Sequence, residues 1–229
     1  MQSIFLIFIG LMSFAQELPP IAKFTTENYM GDNQNWMISQ GINDYIYVAN
    51  NKGLLEYNGS EWITYNSPNN TIIRAVKVIG DKIYTGCYAE FGYWLKNDFG
   101  TLDYISLTSK LNKKSLEDEQ IWNIIDYNEW VIFQSNDSIY FYNTQTETFK
   151  IITAANIIYK IFKVNDRIYY HVADEGIYIV KDGESKLISN NSILKSERVI
   201  NIFEDGENLI ILTRSSGFSH LGKYHQIRC

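Results

Sequence analysis

The chain has 229 residues, 45% of them hydrophobic and 15% aromatic, with 17 Tyr and 5 Trp; such a composition supports a packed core and argues against disorder. A formal net charge of −6, with Lys and Arg scattered singly, leaves no basic face for a phosphate backbone and argues against nucleic-acid binding by these residues.

In chain order, Ile4 to Phe14 is an eleven-residue apolar run ending in Ser-Phe-Ala. It reads as a secretory signal cleaved after Ala15, and it is too short to span a bilayer. The mature chain is expected to begin at Gln16, and the protein to be periplasmic or secreted. No other stretch is long enough to cross a membrane. Pro19-Pro20 closes this region, and Ile21 to Thr26 alternates apolar with polar like an outer strand, within a lead-in of residues 16–35.

From Trp36 a hairpin recurs: Asp44 to Tyr57, Asp81 to Trp94, Glu129 to Tyr142, Asp166 to Val180 and Glu207 to Leu221. Aligned on Ile46, Ile83, Val131, Ile168 and Leu209, the copies are spaced by 37, 48, 37 and 41 residues, the interval of propeller blades. The expected fold is therefore all-β, a propeller with five four-stranded blades at about 36–71, 72–111, 120–156, 157–194 and 198–229. Inner A strands start at Trp36, Ile73, Ile121, Ile158 and Val199. The B and C strands carry apolar residues on both faces (IYFY, IYIV, LIIL), as sheets sandwiched between neighbours require. Glycine at or next to the start of four C strands suits a tight B–C reversal, and Asn58-Gly59 and Asp182-Gly183 suit C–D turns. The D strands are Glu61 to Asn66, Leu102 to Leu107, Thr148 to Thr153, Glu184 to Ser189 and Lys223 to Arg228. The extra length of the 48-residue step lies at Thr108 to Glu119, read as a solvated polar loop. Cys87 reads as core; pairing with Cys229 in an oxidising compartment stays open.

The first repeat, Tyr45 to Asn66, resembles the two-component-regulator propeller repeat of Bacteroidetes sensor proteins through Gly53, Leu54, Tyr57, Gly59, Trp62 and Tyr65. It departs from that pattern at Tyr47 and Ala49, where Trp and Thr are usual. The resemblance covers roughly Trp36 to Leu221. It implies a periplasmic propeller followed, in a longer parent, by a triple-tyrosine immunoglobulin-like domain, a transmembrane helix, and a histidine kinase or a LuxR-type helix-turn-helix. Any kinase or DNA-binding activity would belong to those further parts.

Counting one residue past each A-strand start puts Met37, Arg74, Trp122, Tyr159 and Ile200 at equivalent depth near the mouth of the central channel. Arg74, Trp122 and Tyr159 there could hold a sugar or an anion; the alternative is that the aromatics pack between sheets and Arg74 pairs with an acid. The B–C reversals add Tyr88, Glu90 and Arg214 as candidate ligand contacts, beside Asn51, Lys52, Asp137 and Glu175, with ordinary turn chemistry as the alternative. His171, His220 and His225 have no metal-ligand spacing, and no HExxH, GxSxG or P-loop occurs, so no cofactor or metal is expected. Carboxylates such as Asp126 and Glu204, on separate blades, would have to converge to cleave glycosides. The expected function is a non-enzymatic extracytoplasmic sensor for an oligosaccharide or other small ligand, with a secreted glycan-active enzyme or an adhesion scaffold as alternatives. Further blades of the same parent chain are the expected partners, completing a ring of about seven.

Overall fold

The computed structural model describes residues 20–111, 116, 118–181, 183–222 and 227–228. The expected leader (residues 1–15), residues 223–226 of the expected outer strand Lys223 to Arg228, and Cys229 with its candidate disulfide lie outside these residues.

Five four-stranded antiparallel sheets follow one another, each with its strands in chain order. Blade 1 comprises β1 (Asn35–Gln40), β2 (Ile46–Asn50), β3 (Gly53–Tyr57) and β4 (Trp62–Asn66); blade 2, β5 (Ala75–Ile79), β6 (Lys82–Cys87), β7 (Glu90–Lys96) and β8 (Leu102–Ser106). Blade 3 comprises β9 (Asn123–Tyr127), β10 (Trp130–Gln134), β11 (Ser138–Asn143) and β12 (Phe149–Thr153). Blade 4 has β13 (Ile158–Val164), β14 (Arg167–Val172), β15 (Gly176–Lys181) and β16 (Glu184–Ser189); blade 5, β17 (Val199–Asp205), β18 (Asn208–Thr213), β19 (Gly217–Leu221) and β20 (Ile227–Arg228). The inner strands β1, β5, β9, β13 and β17 stand side by side in that order. This is the radial stack of a propeller.

The doubly apolar middle strands produce the stack, because each blade can bury its second face only against the next. Phe91, Phe133 and Tyr140 fill the space between blades 2 and 3, with Phe91 stacked on Phe133 at 4.3 Å. Phe162, Ile177, Ile202 and Ile211 fill that between blades 4 and 5. Cys87 is a buried free thiol in the interface of blades 1 and 2, and burial pushes its pKa up to about 12. The reversals into β3 and β15 need glycine for two reasons. Gly53 and Gly176 have φ of 148° and 129°, and a Cβ would meet the Tyr65 and Ser189 carbonyl oxygens at 2.1 and 2.0 Å.

Two expectations are corrected here. Ile21 to Thr26 is not a strand: residues 20–25 are irregular and run into a one-turn helix, α1 (Thr26–Tyr29), at whose start the Thr25 N–H donates to Asn28 Oδ1 (2.8 Å). The apolar residues of this lead-in serve as a lid on the outward face of blade 1. Phe24 packs on Tyr57 and Trp62, Tyr29 covers Val48 and Leu55, and fully buried Asn50 clamps Asp32 and Gln34 through their backbones.

The connection from Thr108 to Glu119 is not all solvated loop, since Leu116 lies in the core between blades 2 and 3. Glu119 is buried there too, accepting from the Tyr140 hydroxyl at 2.7 Å. A short helix, α2 (Ser192–Ser196), which has no counterpart in the repeat pattern, is capped by the Asn191 side chain and buries Leu194.

Candidate functional site

The end of the stack that carries the B–C reversals and the D–A connections is built by one recurring irregularity. In blade 1 Asn35 pairs with Asn50 and Met37 with Ala49, leaving Trp36 as an extra residue. Tyr159 is the extra residue in blade 4 and Ile200 in blade 5. Arg74 and Trp122 stand at the matching place in blades 2 and 3, one residue ahead of the first ladder pair, and their N–H groups reach the Gly86 (3.0 Å) and Gln134 (2.8 Å) carbonyls. A β-bulge re-aims one side chain out of the pleat. All five inner strands therefore present one residue at the rim: Trp36, Arg74, Trp122, Tyr159 and Ile200.

The rim residue of blade 1 is Trp36, not Met37. The turn between β1 and β2 has five residues against two in the other blades and leaves the rim residue ten positions before Ile46 where the other blades have nine, so counting forward from Trp36 overshoots, and Met37 packs inward against two inter-blade cores.

Trp36, Arg74 and Trp122 are brought together. The Arg74 guanidinium carbon lies 4.1 Å from the Trp36 ring centroid and 4.7 Å from that of Trp122, with the two indoles 6.2 Å apart, edge to face. Both indoles keep substantial exposure, 40% and 36%, and the Trp36 Nε1–H is oriented by Asn51 Oδ1 at 2.8 Å. Such an arrangement places the cation within cation–π reach of both rings. Arg74 makes no ion pair among the described residues; its Nε is buried without a hydrogen-bond partner, and burial lowers its pKa.

Tyr159, on blade 4, stacks against His171 at 5.2 Å and carries the Arg198 guanidinium over its ring at 4.5 Å. His171 is not available as a ligand. It is fully buried, its Nε2–H donates to the Leu194 carbonyl (2.7 Å) and its Nδ1 accepts from the Val199 N–H (3.2 Å).

The reversal residues divide. Tyr88 is half-exposed; its hydroxyl donates to Asp118 Oδ1, which raises its pKa. Glu90 is consumed by structure, accepting from Tyr104, Ser106 and Thr108 hydroxyls at 3.0, 2.9 and 2.7 Å and so stitching the start of β7 to β8 and the turn beyond it. Arg214 is exposed, and its backbone N–H donates to the Arg198 carbonyl (3.0 Å). Lys52 donates to the Met30 carbonyl (2.8 Å), and Glu175 accepts from Asn156 (2.9 Å) and Tyr178, which is turn chemistry.

The carboxylates considered for glycoside cleavage, Asp126 and Glu204, are each engaged with other groups. Asp126 lies at the far end of β9, between Lys77 (3.7 Å) and Lys163 (3.8 Å), and Glu204 bonds Asn165. No group of His, Cys, Asp and Glu among the described residues could hold a metal ion. Clefts of about 220 Å³, lined by Gly41, Tyr45 and Lys96, and of about 500 Å³, lined by Tyr127, Trp130 and Lys150, open between blades at the opposite end.

No protein-family model and no curated protein sequence matches the chain. Solved structures do. The extracellular domain of a proposed hybrid two component system, BT3049 of B. thetaiotaomicron, superposes with a TM-score of 0.67 at 14% identity, over 90% of this chain and 31% of that one. That of BT4673, from the same organism, gives 0.61 at 18% identity, over 85% of this chain and 27% of that one. The fold is that of a part of these extracellular domains. The WD40 β-propeller domain of Doa1 gives 0.55 at 13% identity over 79% of this chain, so the architecture is a propeller in the general sense as well. The propeller spans about a third or less of the sensor domains it matches. No helix among its described residues is long and apolar enough to cross a membrane.

Proposed function

We propose that this chain is an extracytoplasmic ligand-sensing propeller of a membrane-bound signalling or transcription regulator, non-enzymatic in itself. Its ligand, an oligosaccharide or another small extracellular molecule, docks on the rim formed by Trp36, Arg74 and Trp122, with Tyr159 alongside. The observation that carries this reading is an arginine without an ion-pair partner among the described residues, packed against two half-exposed indoles. A packing role alone would bury the rings and pair the cation. The likeness to extracellular sensor domains and the apolar run from Ile4 to Phe14 support the compartment. Further blades of the parent chain are the proposed partner of blade 5. Phe203 and Phe218, 42% and 65% exposed, occupy the positions that in blade 4 hold Phe162 and Ile177, both buried against the following blade.

The test is a panel of oligosaccharides incubated with the purified protein. Saturable binding with every sugar recovered intact is expected. Release of a shorter product would replace sensing with hydrolysis, and indifference to the whole panel would favour a scaffold.

A further inference from the structure

Resting on the reading of the rim as the ligand site, we propose that the group recognised there is a carboxylate, and that the ligand is an acidic oligosaccharide built from uronic acid units. The Arg74 guanidinium carbon lies 4.1 Å from the Trp36 ring and 4.7 Å from the Trp122 ring, with the rings 6.2 Å apart and edge to face, so the indoles flank it on adjacent sides and supply no counter-charge, and its N–H donors remain for a ligand. Arginine does not deprotonate at physiological pH, and a partly desolvated cation without a counter-charge is a standing invitation to an anion. Three carboxylates at this end of the stack are already committed. Asp118 accepts from Tyr88, Glu90 from three hydroxyls, and Glu197 from the backbone and hydroxyl of Ser216. A chain of net charge −6 thus keeps an unmatched arginine at its rim among half-exposed aromatic surfaces.

The shape of the donor set narrows the anion. Parallel N–H groups in one plane fit the two oxygens of a carboxylate, and the exposed edges of the flanking indoles offer apolar surface to a sugar ring. Blade 4 repeats the arrangement once, with Arg198 over Tyr159 and no ion pair among the described residues. Two stacked arginines along one rim suit a chain that carries its charge on successive sugars. A sulfate ester would satisfy the same donors, so the two sources must be separated by experiment.

Calorimetric titration of the purified protein with trigalacturonate, its methyl ester and a sulfated galactose trisaccharide makes the separation. Trigalacturonate binding is expected, weakening with added salt and at least about tenfold tighter than binding of the ester, since hydrogen bonds to charged groups are the strong ones. Arg74→Gln is expected to lose about tenfold or more for the acid and little for the ester. Arg74→Lys, which keeps the charge but not the fork, falls short of the wild type, and melting curves confirm that both variants fold. Equal affinity for acid and ester, or an unaffected Arg74→Gln, overturns the carboxylate; if Trp122→Ala then still abolishes binding, the rim survives as the site. Binding of the sulfated sugar alone reassigns the anion, and binding of neither acidic sugar refutes the inference.

Discussion

Replacing His171 with Phe should reveal how the last two blades are joined. The imidazole is fully buried on β14 and satisfies both the Leu194 carbonyl of α2 and the Val199 N–H of β17, so one side chain holds blade 4 to blade 5. Phenylalanine fills most of the space but leaves a buried acceptor and a buried donor unpaired, at about 1–3 kcal/mol each. The loss is about 2–5 kcal/mol, which for a domain of this size lowers Tm by about 5–15 °C. The pH dependence adds a second constraint. Burial lowers the His171 pKa, the bond to Leu194 partly opposing it and nearby Arg198 adding to it. A folded-state pKa below the unfolded value of about 6.5 means that the stabilisation is complete above that pH and is lost as pH falls through the folded value. The gap between wild type and His171→Phe, followed by circular dichroism melts, should therefore be widest at pH 7.5 and shrink towards pH 5. A gap under about 2 °C at pH 7.5, or one that stays constant with pH, would refute the reasoning.

Gly53→Ala should cost at least about 2 kcal/mol in urea denaturation, because strain and a carbonyl clash combine, whereas Gly59→Ala, with open space around it, should cost about 1 or less. Glu56 is 2% exposed, and burial raises its pKa despite Lys96 at 3.7 Å. With the folded value above the unfolded one, ionised Glu56 destabilises as pH rises through it, so Glu56→Gln should melt higher than wild type at pH 8 and equally near pH 4. The exposed Phe203 and Phe218 should make the isolated chain self-associate, and Phe203→Ser combined with Phe218→Ser should reduce that association in analytical ultracentrifugation; an unchanged sedimentation profile would mean that this face is not sticky.

The fold was legible because a repeat multiplies a weak signal. One alternating segment is ambiguous, but Ile46, Ile83, Val131, Ile168 and Leu209 fall at the same point of five hairpins. The structure places all five on second strands. Segments outside the repeat were read poorly. Ile21 to Thr26 alternates like a strand, yet Phe24 and Tyr29 gain more by covering Trp62 and Leu55 than an unpaired strand could. Five-residue α2 is too short to show a period.

The rim was half legible. Arg74, Trp122 and Tyr159 follow from register, but the longer first turn hid Trp36, the second half of the arginine stack. Aligning the first strands backwards from Ile46, nine residues to the rim in four blades and ten in the first, would have required knowing that turn's length. Glu90 carried no sign in the sequence that Tyr104, Ser106 and Thr108 would consume it, because those partners come from the next strand and the helical turn beyond it.

The central claim is that a small ligand sits on the rim, and tryptophan fluorescence tests it directly, since Trp36 and Trp122 are at the site while Trp94 is buried, Trp62 is packed against Phe24, Tyr29 and Tyr57, and Trp130 lies at the far end of its blade. A binding sugar should shift the emission saturably, the shift should be lost in a Trp36→Phe, Trp122→Phe double variant, and it should persist in Trp130→Phe. A saturable shift that survives the double variant and disappears with Trp130→Phe would place the ligand in the cleft between blades 3 and 4 and contradict the account.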